Sequence, residues 1–175
     1  MRAPAWRWIV GMAMALALAG IGGALVACGG QGAKFQNIKG GEMPQGQSWL
    51  GVYYSQVYGY LHMTEQDGNI VGRWKRTDSS HWGELSGTVD GNVMHYTWKE
   101  HDYGAVGPSG DTKGSGYFVY QMGQNNIPEL KGKYSVDESD TSAEWNCVKQ
   151  VNMKPDINSI TGDNPTDTTG RDTWH

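Results

Sequence analysis

The chain has 175 residues and a formal net charge of −4. Its first 27 residues contain two arginines and no acidic residue, so the rest of the chain has 12 basic and 18 acidic residues. This acidic balance excludes electrostatic binding to nucleic acid and to anionic lipid headgroups, because both need clustered positive charge.

The N-terminal segment has the layout of a secretory signal peptide. Arg2 and Arg7 precede residues 9–27, which are uncharged, and such a run is also long enough to span a bilayer as a helix. The stretch Leu25-Val26-Ala27-Cys28 resembles the lipobox of bacterial lipoproteins, in which the cysteine thiol receives a diacylglyceryl group before cleavage. The resemblance implies that residues 1–27 are removed and that Cys28 is the lipid attachment site. The alternative is an uncleaved anchor helix.

Residues 28–48 are predicted to form a flexible tether, because they are rich in Gly and Gln and have little apolar surface to bury. Lipid chains contribute about 0.8 kcal/mol for each buried methylene, so two or more hold a protein firmly on a membrane. Gly29 follows the cysteine directly, which by resemblance to lipoprotein sorting favours the outer membrane. We therefore expect a membrane-anchored protein of the bacterial cell envelope.

From residue 49 onward, short runs rich in Tyr, Trp, Val and Thr alternate with Gly and Asn. Period-two alternation predicts an all-β domain over residues 49–150, and Asp67-Gly68 and Asp90-Gly91 are typical hairpin turns. Eight consecutive antiparallel strands favour closure into an up-and-down barrel, because closure removes both sheet edges, and a two-layer β-sandwich is the alternative. The predicted strands are 49–56, 58–66, 69–76, 82–89, 92–100, 116–122, 129–136 and 143–150.

One face of each predicted strand is apolar and is expected to line the barrel interior. Cys147 is on this face, and because Cys28 takes the lipid, no intrachain disulfide is available and Cys147 is expected to be an inert core residue. Gly51, Gly72, Gly87 and Gly132 share this face and let the sheet bend or pack closely. The other predicted interior residues are Trp49, Tyr53, Leu61, Met63, Ile70, Trp74, Leu85, Val89, Met94, Tyr96, Trp98, Phe118, Tyr120, Leu130, Tyr134 and Trp145.

Several of these motifs resemble calycin-type barrels, the avidins in particular. The resemblance covers residues 49–150 and rests on Gly51-Val52-Tyr53-Tyr54-Ser55-Gln56, Gly72-x-Trp74 and Trp98-Lys99-Glu100. It implies a small barrel whose sheet closes on itself and whose interior is open at one end. The spacing between Ser55 and Gly59 is longer than in avidins, so the resemblance concerns the fold rather than biotin binding.

The aromatic residues of the predicted interior allow two interpretations. An eight-stranded barrel is either filled by its own side chains or holds one small ligand. If it holds a ligand, rings at the open end are suited to stacking on a sugar or an apolar metabolite. We predict Trp49, Tyr53, Trp98 and Tyr120 as ligand contacts. Residues 100–116 are predicted to form a long loop at the rim, either a binding loop or a plain connection.

The sequence contains no established catalytic motif, so we expect no enzyme activity, no catalytic residue, no metal and no cofactor. Metal-ligand spacing is absent from the four histidines His62, His81, His95 and His101. Nothing marks two of the three glutamates Glu65, Glu84 and Glu100 as a glycosidase pair. The spacing of Asp102 and Asp111 matches no calcium loop.

Two functions follow from these expectations. The first is a lipid-anchored protein that binds a small apolar or glycan-like ligand in the barrel or at its mouth. The alternative is a non-enzymatic structural or interaction lipoprotein with a solid barrel and an envelope protein as partner, which clustering of the outward Tyr54, Tyr60 and Tyr117 would favour. Residues 151–175 are polar and are predicted to form a disordered C-terminal tail.

Overall fold

A computed structural model of the chain describes residues 33–104, 110–137, 139 and 141–162. Cys28 and the predicted signal peptide lie outside the described residues. No helix in the described ranges is both long enough and apolar enough to cross a membrane. The strands are β1 (Gly51–Ser55), β2 (Gly59–Gln66), β3 (Asn69–Lys75), β4 (His81–Asp90), β5 (Val93–Asp102), β6 (Thr112–Met122), β7 (Pro128–Val136) and β8 (Ala143–Lys149).

The eight strands form a closed antiparallel barrel in which each strand pairs with the next along the chain. Closure comes from β1 and β8, which pair through Tyr53 opposite Lys149 and Tyr54 opposite Val148. The predicted up-and-down barrel is therefore confirmed, and the chain does not adopt the two-layer sandwich. At the β2–β3 hairpin, Asp67 and Gly68 both have positive φ (51° and 78°), as the tight turn requires.

The connection between β5 and β6 is shorter than predicted. Residues 100–116 were expected to be a loop, but β5 continues to Asp102 and β6 begins at Thr112. Gly114 pairs with Trp98 across the two strands, and a Cβ on Gly114 would lie 2.9 Å from the Trp98 ring. Glycine is a poor strand former in general, but here it is accommodated because it leaves room for a neighbouring indole.

The predicted interior is confirmed at nearly every position, from Tyr53 and Leu61 to Trp145 and Cys147. Val89 is an exception, with 45% of its surface exposed. It is the penultimate residue of β4, at the rim of the barrel. Tyr134 is half-buried and packs against the core from one side.

Two ends of the barrel can be distinguished by strand direction. At the end that we call the mouth, the odd-numbered strands finish and the even-numbered strands begin. At the opposite end, called the far end, Trp49 enters the interior just before β1 and is buried. The Trp49 indole donates a hydrogen bond to the carbonyl of Gly91 (3.3 Å) and meets the Tyr120 ring edge-on at 5.4 Å. The far end is therefore plugged by the chain's own side chains.

Residues 33–48, called the N-terminal strap, lie along the outside of the barrel. They belong to the segment predicted as a flexible tether, whose composition gives no sign of these contacts. The strap starts near the β7–β8 connection, crosses β6 and β5, and reaches the far end. In chain order, its contacts are Lys34 Nζ to the Ser139 carbonyl, the Phe35 ring to the Tyr117 ring (5.2 Å), the Ile38 carbonyl to His95 Nε2 (2.9 Å) and Gly41 N to Asn92 Oδ1 (2.6 Å).

Residues 151–162, called the C-terminal strap, also lie against the barrel. Ile160 is 6% exposed, so this part of the predicted disordered tail buries an apolar side chain, and residues 163–175 lie outside the described ranges. The strap runs from the far end toward the mouth. Its hydrogen bonds join Asp156 N to His62 Nδ1 (3.0 Å), Arg73 Nη1 to the Ile160 carbonyl (3.3 Å) and Tyr103 OH to the Thr161 carbonyl (2.8 Å).

Gly83 provides a test of how the interior is packed. A Cβ on Gly83 would overlap the Trp74 ring, so we expect Gly83→Ala to lower the free energy of unfolding by about 1–3 kcal/mol, as overpacking does in other cores. Ser86→Ala, on the exposed face of the same strand, is the control and is expected to change it by less than about 0.5 kcal/mol. Urea unfolding followed by tryptophan fluorescence measures both, and equal stability of the two variants would contradict this packing.

Candidate functional site

The barrel contains a cavity of about 230 Å³ at the mouth. Its position follows from strand direction, because it is lined by residues that end β3, β5 and β7 and by residues that begin β4, β6 and β8. Aromatic side chains make up half of the lining. The lining residues are Tyr58, Trp74, Arg76, His81, Trp98, Glu100, Thr112, Tyr134, Val136 and Trp145.

One wall of the cavity is an ion pair between Arg76 and Glu100. Arg76 Nη2 lies 2.7 Å from Glu100 Oε1, and Arg76 Nε lies 2.9 Å from Oε2. The guanidinium therefore binds the carboxylate through two hydrogen bonds, as a bidentate ion pair. The buried Trp74 indole donates a third bond to Oε2 (3.2 Å). Glu100 is only 7% exposed, and a buried carboxylate needs such partners. Because the two charges cancel, this wall is polar but carries no net charge.

Tyrosine and tryptophan rings line the cavity next to this ion pair, and the Arg76 guanidinium lies over the Tyr58 ring at 5.7 Å. The hydroxyls of Tyr58 and Tyr134 lie 2.8 Å apart, and this single hydrogen bond uses one of their two hydrogens. Burial and the bond to Tyr134 raise the pKa of Tyr58, so its hydroxyl stays protonated. The Tyr58 ring packs 4.9 Å from that of Trp145, and the Tyr134 ring meets Trp98 edge-on at 5.4 Å. These contacts hold the rings in fixed positions around the cavity.

Trp98 buries an indole N–H that has no hydrogen-bond partner among the described residues. The buried N–H of Trp145 has only a weak acceptor, the thiol of Cys147, with which it makes a side-chain hydrogen bond. The hydroxyl of Tyr96, deeper in the barrel, is also without a partner in the described part of the chain. A buried donor without an acceptor costs about 1–3 kcal/mol. A ligand that brings acceptor atoms into the cavity would remove this cost.

The structure separates the four predicted ligand contacts. Trp98 lines the mouth cavity, whereas Trp49, Tyr53 and Tyr120 lie together at the far end. The hydroxyls of this far-end group are occupied within the protein. Tyr53 OH donates to the Trp49 carbonyl (2.9 Å) and Tyr120 OH donates to Gln47 Oε1 (3.0 Å). The far-end group is therefore a plug, and the cavity residues Tyr58, Arg76, Tyr134 and Trp145 were not among the predicted contacts.

A larger groove of about 390 Å³ lies on the outer face of β3 to β6. Its charged side chains are engaged with neighbours, since Arg73 Nη2 lies 3.7 Å from Glu84 and Lys99 Nζ lies 2.6 Å from Asp111. The mouth cavity is instead lined by five aromatic side chains, one of which is Trp98 with its N–H unpartnered among the described residues. We therefore take the smaller cavity as the candidate site.

The predicted histidines and acids do not form one common site. His62 and His95 hold the two straps, while His101 lies between Asp111 (2.8 Å) and Glu84 (4.0 Å) on the outer face of the barrel. Across the described ranges, no three His, Cys, Asp or Glu side chains come close enough to hold a metal ion. Of the three glutamates, Glu100 alone lines the cavity.

The outward tyrosines form two separate groups. The rings of Tyr54 and Tyr60 lie 4.9 Å apart on β1 and β2, and Tyr60 is 44% exposed. Tyr117 lies on β6 and packs against Phe35 of the N-terminal strap. The three therefore do not form one aromatic surface.

Comparisons with protein-family models, with curated proteins and with solved structures find no match to this chain. The function is therefore inferred from the geometry of the cavity.

Cys147 offers a chemical test of the closed interior. It is 1% exposed, and burial raises the pKa of its thiol to about 12, so very little reactive thiolate forms at pH 8. In a Cys28→Ala variant we expect iodoacetamide to leave Cys147 unmodified in the native protein and to modify it fully in guanidinium chloride, as measured by intact mass. Rapid modification of the native protein would show that the interior opens.

Proposed function

We propose that this protein is a lipid-anchored cell-envelope protein whose barrel binds a small, neutral, sugar-like ligand in the mouth cavity. The observation that carries the proposal is a cavity lined by fixed aromatic rings, one of which is the Trp98 indole, whose N–H has no partner among the described residues. Aromatic faces stack on flat apolar surfaces, and an indole N–H requires an acceptor such as oxygen. A monosaccharide ring has both features.

The size and charge of the cavity narrow the ligand class. Its volume of about 230 Å³ is below the roughly 300–1,000 Å³ typical of pockets for drug-sized molecules. The Arg76 guanidinium is already matched by Glu100, so the cavity has no surplus charge for an ionic ligand. A neutral ligand with hydroxyl groups fits these limits better than a phosphate, a carboxylate or a purely apolar metabolite.

The site supports binding better than glycoside hydrolysis. Hydrolysis needs two carboxyl groups on either side of the scissile bond, about 5–9.5 Å apart. Among the residues that line the cavity, Glu100 is the single carboxylate. Its two oxygens already accept hydrogen bonds from Arg76 and Trp74, so they are not free to contact a scissile bond.

Matched tryptophan variants test the ligand site. Trp98 and Trp49 are 7% and 6% exposed but lie at opposite ends of the barrel. We expect at least one of glucose, galactose and N-acetylglucosamine to bind the lipidated protein in detergent. Trp98→Phe should weaken that binding roughly tenfold, the value of one lost hydrogen bond, while Trp49→Phe should leave it within about twofold.

Isothermal titration calorimetry measures these affinities, and thermal unfolding checks that both variants remain folded. If none of the three sugars binds, or if the two variants lose affinity equally, the mouth cavity is not a sugar site.

The anchor is tested at Cys28. Replacing Cys28 with Ala removes the thiol that would receive the diacylglyceryl group, so we expect the variant to leave the membrane fraction and the unmodified protein to show lipid mass on residue 28. Fractionation of expressing bacteria and mass spectrometry of the N-terminal peptide measure this. Retention of the Ala variant in the membrane, with no lipid on the parent protein, would favour the uncleaved anchor helix.

A further inference from the structure

Both straps bring the described chain to the mouth of the barrel. The N-terminal strap begins at the β7–β8 connection, where Lys34 contacts Ser139, and this connection directly follows Val136 on the cavity rim. The C-terminal strap ends beside Tyr103, which follows β5 at the same end. The points at which the described chain starts and stops therefore share one end of the barrel.

The N-terminal strap shortens the tether to the proposed lipid. Twenty peptide units separate Cys28 from residue 48, and a fully extended chain of that length would reach about 70 Å. The strap lies on the barrel from residue 33, so only five peptide units separate it from Cys28, and five units span at most about 18 Å. The barrel itself is about 25 Å tall, from its strand lengths and the usual strand tilt. A lipid at Cys28 can thus lie close to the mouth but not to the far end.

We propose that the anchor holds the barrel with its mouth toward the bilayer, so that the cavity takes its neutral sugar from a glycolipid headgroup. This inference rests on the proposed function, because it needs both the lipid at Cys28 and the sugar site. Two exposed valines at the mouth fit a position next to lipid. Val57, in the β1–β2 connection, is 63% exposed, and Val136, on the cavity rim, is 38% exposed.

The far end provides the competing orientation. It also has exposed apolar side chains, among them Ile127 and Val151. Its interior, however, is closed by the Trp49 plug, and reaching it from Cys28 would require the N-terminal strap to detach from His95 and Asn92. An experiment that compares the two ends directly therefore decides between the orientations.

Two matched cysteine variants report the orientation. Val57 at the mouth and Val151 at the far end are 63% and 69% exposed, so Val57→Cys and Val151→Cys should both label with a maleimide fluorophore, while Cys147 stays buried. Each lipidated variant is placed in phosphatidylcholine vesicles that contain a lipid with a nitroxide quencher on its headgroup. Because the ends are about 25 Å apart, we expect the Val57→Cys label to be quenched at least about threefold more strongly.

The tether length provides the control. Inserting about fifteen Gly and Ser residues between Gly30 and Gln31 allows the barrel to turn freely, so the difference between the two labels should largely disappear. Equal quenching without the insertion, or stronger quenching of the Val151→Cys label, would overturn the orientation even if mass spectrometry confirms the lipid. Absence of lipid mass on Cys28 would instead overturn the proposed anchor.

The source of the sugar is tested with the same protein in the same vesicles. Diacylglycerol glycosides of glucose, galactose and N-acetylglucosamine are compared with the free sugars by the change in tryptophan fluorescence. A lipid-borne sugar is concentrated near the anchored mouth, so we expect half-saturation at least about tenfold below that of the free sugar. If the glycosides need the same or a higher concentration than the free sugars for half-saturation, the glycolipid assignment is overturned. A fluorescence change with free sugar would in that case still show that the cavity binds sugar.

Discussion

The structure depends on how an eight-stranded barrel fills its interior. Such a barrel has room for one layer of large side chains or for one small ligand, and this chain supplies bulky aromatic rings. Gly83 and Gly114 leave the space that the rings of Trp74 and Trp98 need. The far end is plugged by Trp49, which enters it from a position just before β1 and packs on Tyr120. The mouth has no such plug among the described residues, and the cavity is the space that remains.

The polar groups at the mouth are not explained by stability alone. A buried ion pair such as Arg76 and Glu100 rarely stabilises a fold more than apolar residues of the same size would, and the unpartnered N–H of Trp98 has a cost. Both features lie in the same cavity, next to rings that are held in fixed positions. Groups that add little stability but are prepared for hydrogen bonding are typical of binding sites.

Alternation of apolar and polar residues was sufficient to predict eight strands, their order and the interior face of each. It failed for residues 112–115, among them Gly114, which leaves room in β6 for the Trp98 ring of the neighbouring strand. It also missed the straps, since their contacts are mainly hydrogen bonds, such as that of His95 with the Ile38 carbonyl. Alternation correctly placed Trp98 and Tyr120 on the interior face of their strands. It could not predict that they lie at opposite ends of the barrel. Strand direction separates them, because each lies toward the end of its strand and β5 and β6 run in opposite directions.

The central claim is that the mouth cavity is a ligand site, and the indole N–H groups report on it directly. We would record nitrogen–proton correlation spectra of the protein during titration with glucose, galactose and N-acetylglucosamine, with signals assigned by Trp→Phe variants. The account predicts that the N–H signal of Trp98 moves as it gains an acceptor, while that of Trp49, already bonded to Gly91, stays in place. A shift at Trp49, or no shift at Trp98 with any of these sugars, would contradict it.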